Sequence, residues 1–405
     1  MNLKRRSVPI NLKQSGDSKA KILIYTHLRK SCYWQLSEEE GCWCYATYNH
    51  MYHPRAYIPL SKGGLLKEYE YLTKGVTLWN VAVERQIQIK GPDALKFTNY
   101  LVTRDLEKSC PPGQARYVVL CDENGGIIND PVLLRVAEDE FWLSLSDTDV
   151  GLWAKGLNKG LGYDVTIKEI DVSPVQIQGP KSRAFMGSVF GPRLLKMKYY
   201  QLWETKLAGV PIVISRTGWS AEVGYEVYVM DSIENGETVW RELKKRGQKF
   251  GLKVIAPSHI RRLEAGILSC NQDFTIEDNP FEVGLGRLVD FSKKDFVGKE
   301  ALQKIKREGV KEKLVGLAMG GKPLTWYNTD YYVVYDKGGK RDVGFVTSAF
   351  FSPQLKRNIA LAWLPNSHNE LGTKLTVALP GEKKPVPAEV VPVPFVDPNK
   401  VIPAA

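Results

Sequence analysis

Gln86-Ile87-Gln88-Ile89-Lys90-Gly91-Pro92 is the stretch that decides the fold. Two isoleucines alternate with polar residues at the two-residue period of a half-buried strand, and the Gly-Pro step then ends it. Gly91-Pro92-Asp93 opens a helix that carries Leu95, Phe97 and Leu101, because proline is pre-set for a first helical turn. The design returns at Val175-Gln176-Ile177-Gln178-Gly179-Pro180, followed by a helical stretch with Phe185, Met186 and Phe190. Gly91 and Gly179 stand 88 positions apart. Two strand, Gly-Pro, helix units in one chain predict a duplicated module.

Between the units, Tyr117-Val118-Val119-Leu120, the turn Asp122-Glu123-Asn124-Gly125-Gly126 and the apolar runs Ile127-Ile128 and Val132-Leu133-Leu134 read as a hairpin. Phe141 to Leu145, Val210 to Ser215 and Tyr225 to Met230 read as strands. One helix carries Val239, Trp240 and Leu243; another starts near Pro257 and runs through Ile260, Leu263, Ile267 and Leu268. Beyond about residue 310 come short strands at 314–317, 331–335, 344–348, 359–363, 375–379 and 388–391, the pattern of a small antiparallel barrel. The expectation is an α+β protein: an N-terminal extended arm over 1–45, a body over 46–305 with two related lobes, and a C-terminal β-barrel over 310–400.

A chain of 405 residues is long enough for two or three domains. With 43% apolar and 25% charged residues it falls outside the disordered, collagen-like and low-complexity classes. No apolar run reaches the ~18 residues that would span a bilayer, and no secretory h-region follows the basic N-terminus, so the expected compartment is the cytoplasm. Six cysteines without paired spacing fit a reducing compartment. Cys42 and Cys44, with His50 and His53 nearby, do not complete a zinc pattern, and no metal is expected. The net charge of +11 gathers partly at Lys4, Arg5, Arg6, Lys13, Lys19 and Lys21 and again at Lys244, Lys245, Arg246 and Lys249. No nucleic-acid motif accompanies these clusters, so they read as solvated faces, while an anionic ligand stays open. The expected partner is a small molecule, with neither nucleic acid nor membrane, and a homodimer is an open alternative to the monomer.

There is no Walker loop, dinucleotide fingerprint, nucleophile elbow or H-E-x-x-H, and no histidine stands in a triad context. This favours an enzyme that positions reactants over one that attacks them covalently; no catalytic residue is assigned. The strongest local candidate is Arg216-Thr217-Gly218-Trp219-Ser220-Ala221-Glu222-Val223-Gly224-Tyr225-Glu226-Val227-Tyr228. Its two glycines predict a tight turn, and its two carboxylates and three aromatics suit a flat heterocycle with amide-type donors.

Here the chain resembles the aminomethyltransferase (glycine-cleavage T-protein) superfamily, whose pattern is T-G-Y-T-G-E-x-G-x-E. The resemblance runs over roughly residues 48 to 400 and includes Gly125-Gly126-Ile127-Ile128-Asn129-Asp130, Gln178-Gly179-Pro180, Arg262-Leu263-Glu264-Ala265-Gly266, Asn279-Pro280-Phe281-Glu282 and Gly344-Phe345-Val346-Thr347-Ser348. It implies a three-lobed fold with tetrahydrofolate in a central channel. Within the superfamily, Tyr48-Asn49-His50-Met51, Val83-Glu84-Arg85-Gln86 and Asn129-Asp130-Pro131-Val132 resemble the dimethylsulfoniopropionate demethylase branch. Glycine-cleavage T-proteins carry Ser-His-Met in place of Ala82-Val83-Glu84 and Asp-Asp in place of Asn129-Asp130. Asn80, Val83 and Gln201 depart from the demethylase pattern as well.

By this resemblance Glu226 accepts hydrogen bonds from the pterin edge, since a carboxylate is acceptor-only and bidentate. Tyr117 and Tyr228 flank the folate, Ser144 and Asn129 belong to the same site, and Arg262 anchors the folate or the structure. Tyr48 and Trp219 face the methyl donor. Asn129 replaces an aspartate near the folate N-10, and an amide there fits methyl transfer to N-5 better than methylene transfer. The implied reaction is demethylation of a sulfonium donor, with an aminomethyltransferase, or a demethylase acting on another methylated donor, as the alternative enzyme. A folate-binding iron–sulfur assembly factor of this fold is the non-enzyme alternative; its K-G-C-Y-x-G-Q-E string does not occur.

Overall fold

The computed structural model describes residues 26–404. The first basic cluster, Lys4 to Lys21, and most of the expected arm lie outside them. The described chain opens with α1 (Trp34–Glu39), β1 (Cys44–Tyr48), β2 (Met51–Ala56), α2 (Gly64–Lys74) and β3 (Thr77–Asn80). A first unit follows: β4 (Gln86–Lys90), α3 (Ala94–Leu101), α4 (Leu106–Ser109), β5 (Gln114–Tyr117), β6 (Leu120–Cys121), β7 (Ile127–Asn129), β8 (Val132–Ala137), β9 (Glu140–Ser144), α5 (Val150–Leu161) and β10 (Thr166–Glu169). A second unit comprises β11 (Val172–Gln178), α6 (Ser182–Phe190), α7 (Pro192–Leu195), β12 (Leu202–Leu207), β13 (Val210–Ser215), β14 (Gly224–Met230), α8 (Ser232–Gly247) and β15 (Lys253–Val254). Helices α9 (His259–Glu264) and α10 (Lys299–Glu308) lead to β16 (Glu312–Met319), β17 (Tyr332–Tyr335), β18 (Asp342–Ser352), β19 (Arg357–Pro365), β20 (Lys374–Val377), β21 (Val386–Val391) and α11 (Val401–Ala404).

The two units share one strand order. Read from the Gly-Pro strand, one sheet runs β4-β9-β8-β5 and the other β11-β14-β13-β12. On the far side β10 flanks β4, whereas β3 flanks β11 and β15 lies beyond it. Ile87, Ile89, Phe97 and Leu101 form one core, and Val175, Ile177, Phe185 and Met186 form its counterpart. Both junction glycines are required by close backbone approach: Gly91 (φ 146°) and Gly179 (φ 117°) would place a Cβ 2.5 Å from Asp164 O and 2.6 Å from Gly75 O. The sheets then meet edge to edge, Ala115 N donating to Tyr200 O at 2.8 Å and Leu202 N to Gly113 O at 2.9 Å.

The last six strands close into an antiparallel barrel, as their spacing predicts. A separate core joins barrel to body: Ile260 and Leu263 of α9 pack with Phe350, Leu361 and Trp363. Two expectations differ from the structure. In the described part of the expected arm, residues 34–39 are helical, and Tyr33 and Leu36 are buried in the core of the second unit. Tyr33 stacks on Trp240 at 5.6 Å and donates to Ser173 O, so this segment is held by apolar burial rather than extended into solvent. Helix α9 stops at Glu264 and does not reach Ile267 or Leu268, because Gly266 turns left-handed (φ 63°). Among the described residues no helix is long and apolar enough to cross a membrane.

Candidate functional site

A cavity of about 590 Å³ opens where the two sheets, the segment after α9 and the barrel converge. Tyr48, Tyr117, Ser144, Trp219 and Glu226 line it, so five of the expected site residues come together. Asn129, Tyr228 and Arg262 do not reach it.

The register of β11 against β14 sets Gln176 opposite Glu226. Glu226 is buried and accepts hydrogen bonds from Gln176 Nε2 (2.8 Å), Thr217 Oγ1 (2.6 Å) and Tyr228 OH (2.7 Å). Three neutral donors hold it, and among the described residues no cation pairs with it. A second carboxylate, Glu84, faces it from the turn before β4 and accepts from Ser144 Oγ at 3.0 Å. Burial raises both carboxyl groups above the usual range; the charge of Glu226 pushes Glu84 further, while the three hydrogen bonds on Glu226 pull it back. Two desolvated acids with no counter-cation among the described residues are costly, and they suit a ligand that brings N–H groups.

Tyr228 stands behind this wall. It shares a strand face with Glu226, two residues away, but its ring packs with Ala115, Leu134 and Trp142 and only its hydroxyl serves the carboxylate. Glu222, the other carboxylate of the motif, is paired with Arg261 at 2.7 Å. Gly218 and Gly224 do not make the expected tight turn; a Cβ on either would strike the side chain of Gln178, 2.2 and 2.1 Å away, so they permit close packing instead.

Asn129 is fully buried outside the cavity, where its amide donates to Ser146 O and Thr148 Oγ1 and accepts from Ser146 N. It orders the loop after β9. Its neighbour Asp130 points the other way, into the cavity, and accepts from Tyr117 OH (2.7 Å) and Ser146 Oγ (2.6 Å). Burial pushes Asp130 up to about 6, against the opposing hydrogen bonds. The amide expected at the site is therefore a carboxylate. Arg262 is likewise a structural anchor: it pairs with Asp273 at 2.6 Å and donates to Ser348 Oγ of the barrel at 2.7 Å. Its guanidinium lies 5.7 Å from the Trp219 ring centre, and this is its link to the site.

At the other end, Trp219 meets His259 edge-on at 4.9 Å, and Tyr48 lies 5.4 Å from His53. Arg55 donates to His259 Nε2 at 2.7 Å and stacks 4.4 Å over Tyr327. Burial, then the charge of Arg55, holds His259 well below its ordinary value, so it is the neutral acceptor of that bond. Arg55 lines the cavity and has no carboxylate partner among the described residues. Sequence reading missed Glu84, Asp130, Gln176 and Arg55 as site residues. For Gln176 the signal was strand parity within β11, Glu84 and Asp130 lie in the chain just outside β4 and β7, and Arg55 carries no signal, because its neighbours come from α9 and the barrel.

Residues 34–293 match the family described as GCVT N-terminal domain, and residues 312–397 match the glycine cleavage T-protein C-terminal barrel domain. The chain is 35% identical over 349 residues to dimethylsulfoniopropionate demethylase DmdA of Ruegeria pomeroyi, covering 86% of this chain and 93% of that protein. It is 36% identical over 346 residues to an aminomethyltransferase of Thermotoga maritima (84% and 91%) and 33% identical over 344 residues to one of Koribacter versatilis (83% and 88%). The crystal structure of glycine cleavage system aminomethyltransferase T from Bartonella henselae superposes with a TM-score of 0.79 over 91% of this chain and 98% of that one, at 24% identity. That likeness bears on the fold.

Proposed function

The chain belongs to the glycine-cleavage T-protein family, and from that premise we propose that it is a tetrahydrofolate-dependent demethylase, moving a methyl group from a sulfonium donor such as dimethylsulfoniopropionate to N-5 of tetrahydrofolate. Tetrahydrofolate is the one-carbon acceptor or carrier of this family. The cavity residues fit it: Glu226 and Glu84 offer buried acceptors to the N–H edge of a pterin, and Tyr117 offers an aromatic wall. Bound there, tetrahydrofolate supplies the attacking nitrogen.

The observation that carries the demethylase reading is Arg55 at the donor end. A zwitterionic donor finds aromatic faces for its sulfonium at Trp219 and Tyr48, worth roughly 0.5–2 kcal/mol, and for its carboxylate the Arg55 guanidinium, which has no carboxylate partner among the described residues. An aminomethyl group on a lipoyl carrier brings no carboxylate to answer that guanidinium. The C–S bond breaks as the C–N bond forms, the leaving sulfide is neutral and needs no acid, and the proton of N-5 passes to water, so the protein's task is alignment for in-line displacement, which contributes up to ~7–11 kcal/mol in the best cases.

One observation favours the second reading, aminomethyl transfer: Asp130, with a carboxyl at about 6, is a base able to manage a proton in the cavity. Supplying purified protein with tetrahydrofolate and either a carboxylated sulfonium or an aminomethylated lipoyl carrier separates them. We expect 5-methyltetrahydrofolate from the sulfonium, and a higher donor KM but unchanged folate KM for Arg55→Met. 5,10-Methylenetetrahydrofolate as the main product, from the carrier, would overturn the demethylase assignment.

A further inference from the structure

Arg55 is held in the cavity wall by separate elements of the fold. It stands on β2 two residues after His53, so both side chains share the strand face that lines the cavity. Tyr327, between β16 and β17 of the barrel, fixes it on one side: its hydroxyl donates to Arg55 O at 2.9 Å, and its ring lies 4.4 Å from the guanidinium. His259, the first residue of α9, fixes it on another, accepting from Arg55 Nη1 at 2.7 Å.

An imidazole is a telling partner for a guanidinium, because a neutral ring directs the cation without answering its charge. His259 is 3% exposed and meets Trp219 edge-on at 4.9 Å and Tyr327 edge-on at 5.1 Å. Accepting at Nε2 puts its proton on Nδ1, which has no hydrogen-bond partner among the described residues. A buried donor left unanswered costs stability, and the fold carries that cost beside Arg55. His53 is neutral as well: burial, then the charge of Arg55, holds it well below its ordinary value. A carboxylate in place of either ring would occupy the guanidinium itself and compete with any anionic ligand. With Tyr327 setting the plane of the fork and His259 taking an Nη1 proton, the remaining N–H groups are left for the cavity.

Resting on the sulfonium reading above, we infer that His259 is a positioning residue for donor recognition: it fixes the Arg55 guanidinium, against Tyr327 of the barrel, as a preformed seat for the carboxylate of a short zwitterionic sulfonium. The same imidazole touches Trp219, so a single ring separates the seat from the aromatic face that takes the cation. Ordering the fork before the ligand arrives removes that ordering cost from binding.

The test is calorimetric titration of the full chain with dimethylsulfoniopropionate and with trimethylsulfonium, which carries the cation and no carboxylate. The parent should bind the first about tenfold or more tightly than the second. His259→Phe keeps an aromatic ring and loses the acceptor; it should weaken dimethylsulfoniopropionate about tenfold and trimethylsulfonium less than about twofold, and His259→Gln, which restores an acceptor, should recover most of the loss. Arg55→Lys keeps the charge without the fork or the stack, should lose as much as His259→Phe, and decides the matter alone if His259→Phe does not fold. A parent that binds both probes equally, a His259→Phe that loses both alike or neither, no recovery in His259→Gln, or full affinity in Arg55→Lys overturns the positioning role and leaves the sulfonium reading standing. A parent that binds neither probe overturns both.

Discussion

Gln88 and Gln176 hold the same place in the two units, and each donates to a carboxylate across its sheet. Gln88 Nε2 reaches Glu140 Oε1 at 2.6 Å, and Gln176 Nε2 reaches Glu226 Oε1 at 2.8 Å. Glu140 is answered by Lys90 at 2.7 Å and by Trp142 Nε1 at 2.8 Å. Burial would raise it, yet those bonds hold it below its ordinary value. Glu226 has three neutral donors and, among the described residues, no cation, and it stays raised. One scaffold thus carries a settled carboxylate at its rim and an unsettled one in its cavity. The unsettled one is placed to be completed by a ligand, in keeping with strain and unpaired charge gathering at functional sites.

The comparison rests on pairing deciding role, and the sharpest way to break it is at a paired buried charge. Arg262→Met leaves Asp273 buried and uncompensated, and removing one partner of such a pair costs about 3–5 kcal/mol of stability. Denaturant unfolding should show that loss, while the folded fraction still binds tetrahydrofolate. Lost affinity at unchanged stability would return Arg262 to the folate site.

Asp130 sharpens the contrast through pH. Its folded value of about 6 lies above the ordinary 3.8, so the folded protein holds the proton more tightly. Its contribution to stability is therefore complete below about pH 4 and is lost as pH rises through 6, by about 3 kcal/mol. Asp130→Asn lacks this loss, so its stability relative to the parent should climb between pH 4 and pH 7. Parallel stability curves would refute the buried, raised carboxyl.

The smallest effects test the two glutamates directly. Glu226→Gln should weaken tetrahydrofolate by about 1–3 kcal/mol, the range for a hydrogen bond to a charged group, and should make the ligand-free protein more stable at pH 7. Glu140→Gln should leave folate affinity alone and change stability by less than about 1 kcal/mol, as partly exposed ion pairs do. Equal folate losses in both variants would erase the distinction between the two units.

Much of this architecture is local in origin. Alternation at Ile87 and Ile89 and at Val175 and Ile177, each closed by Gly-Pro, encodes two strand–helix units, and short strands after residue 310 encode the barrel. Such signals depend on near neighbours in the chain, so the duplicated α+β body, the barrel and the Glu226 strand are legible from residue order. Tertiary structure alone decided which polar side chains meet. Asn129 and Asp130 are adjacent, and strand pleating sends one to a loop and the other to the cavity. Arg262 finds Asp273 and the barrel's Ser348, 86 residues away, and so leaves the site. Arg104, Arg116, Lys198, Arg287 and Lys400 form no cluster in the chain and gather only where sheet edges and the C-terminal segment converge, because electrostatics acts through space and the chain records only order.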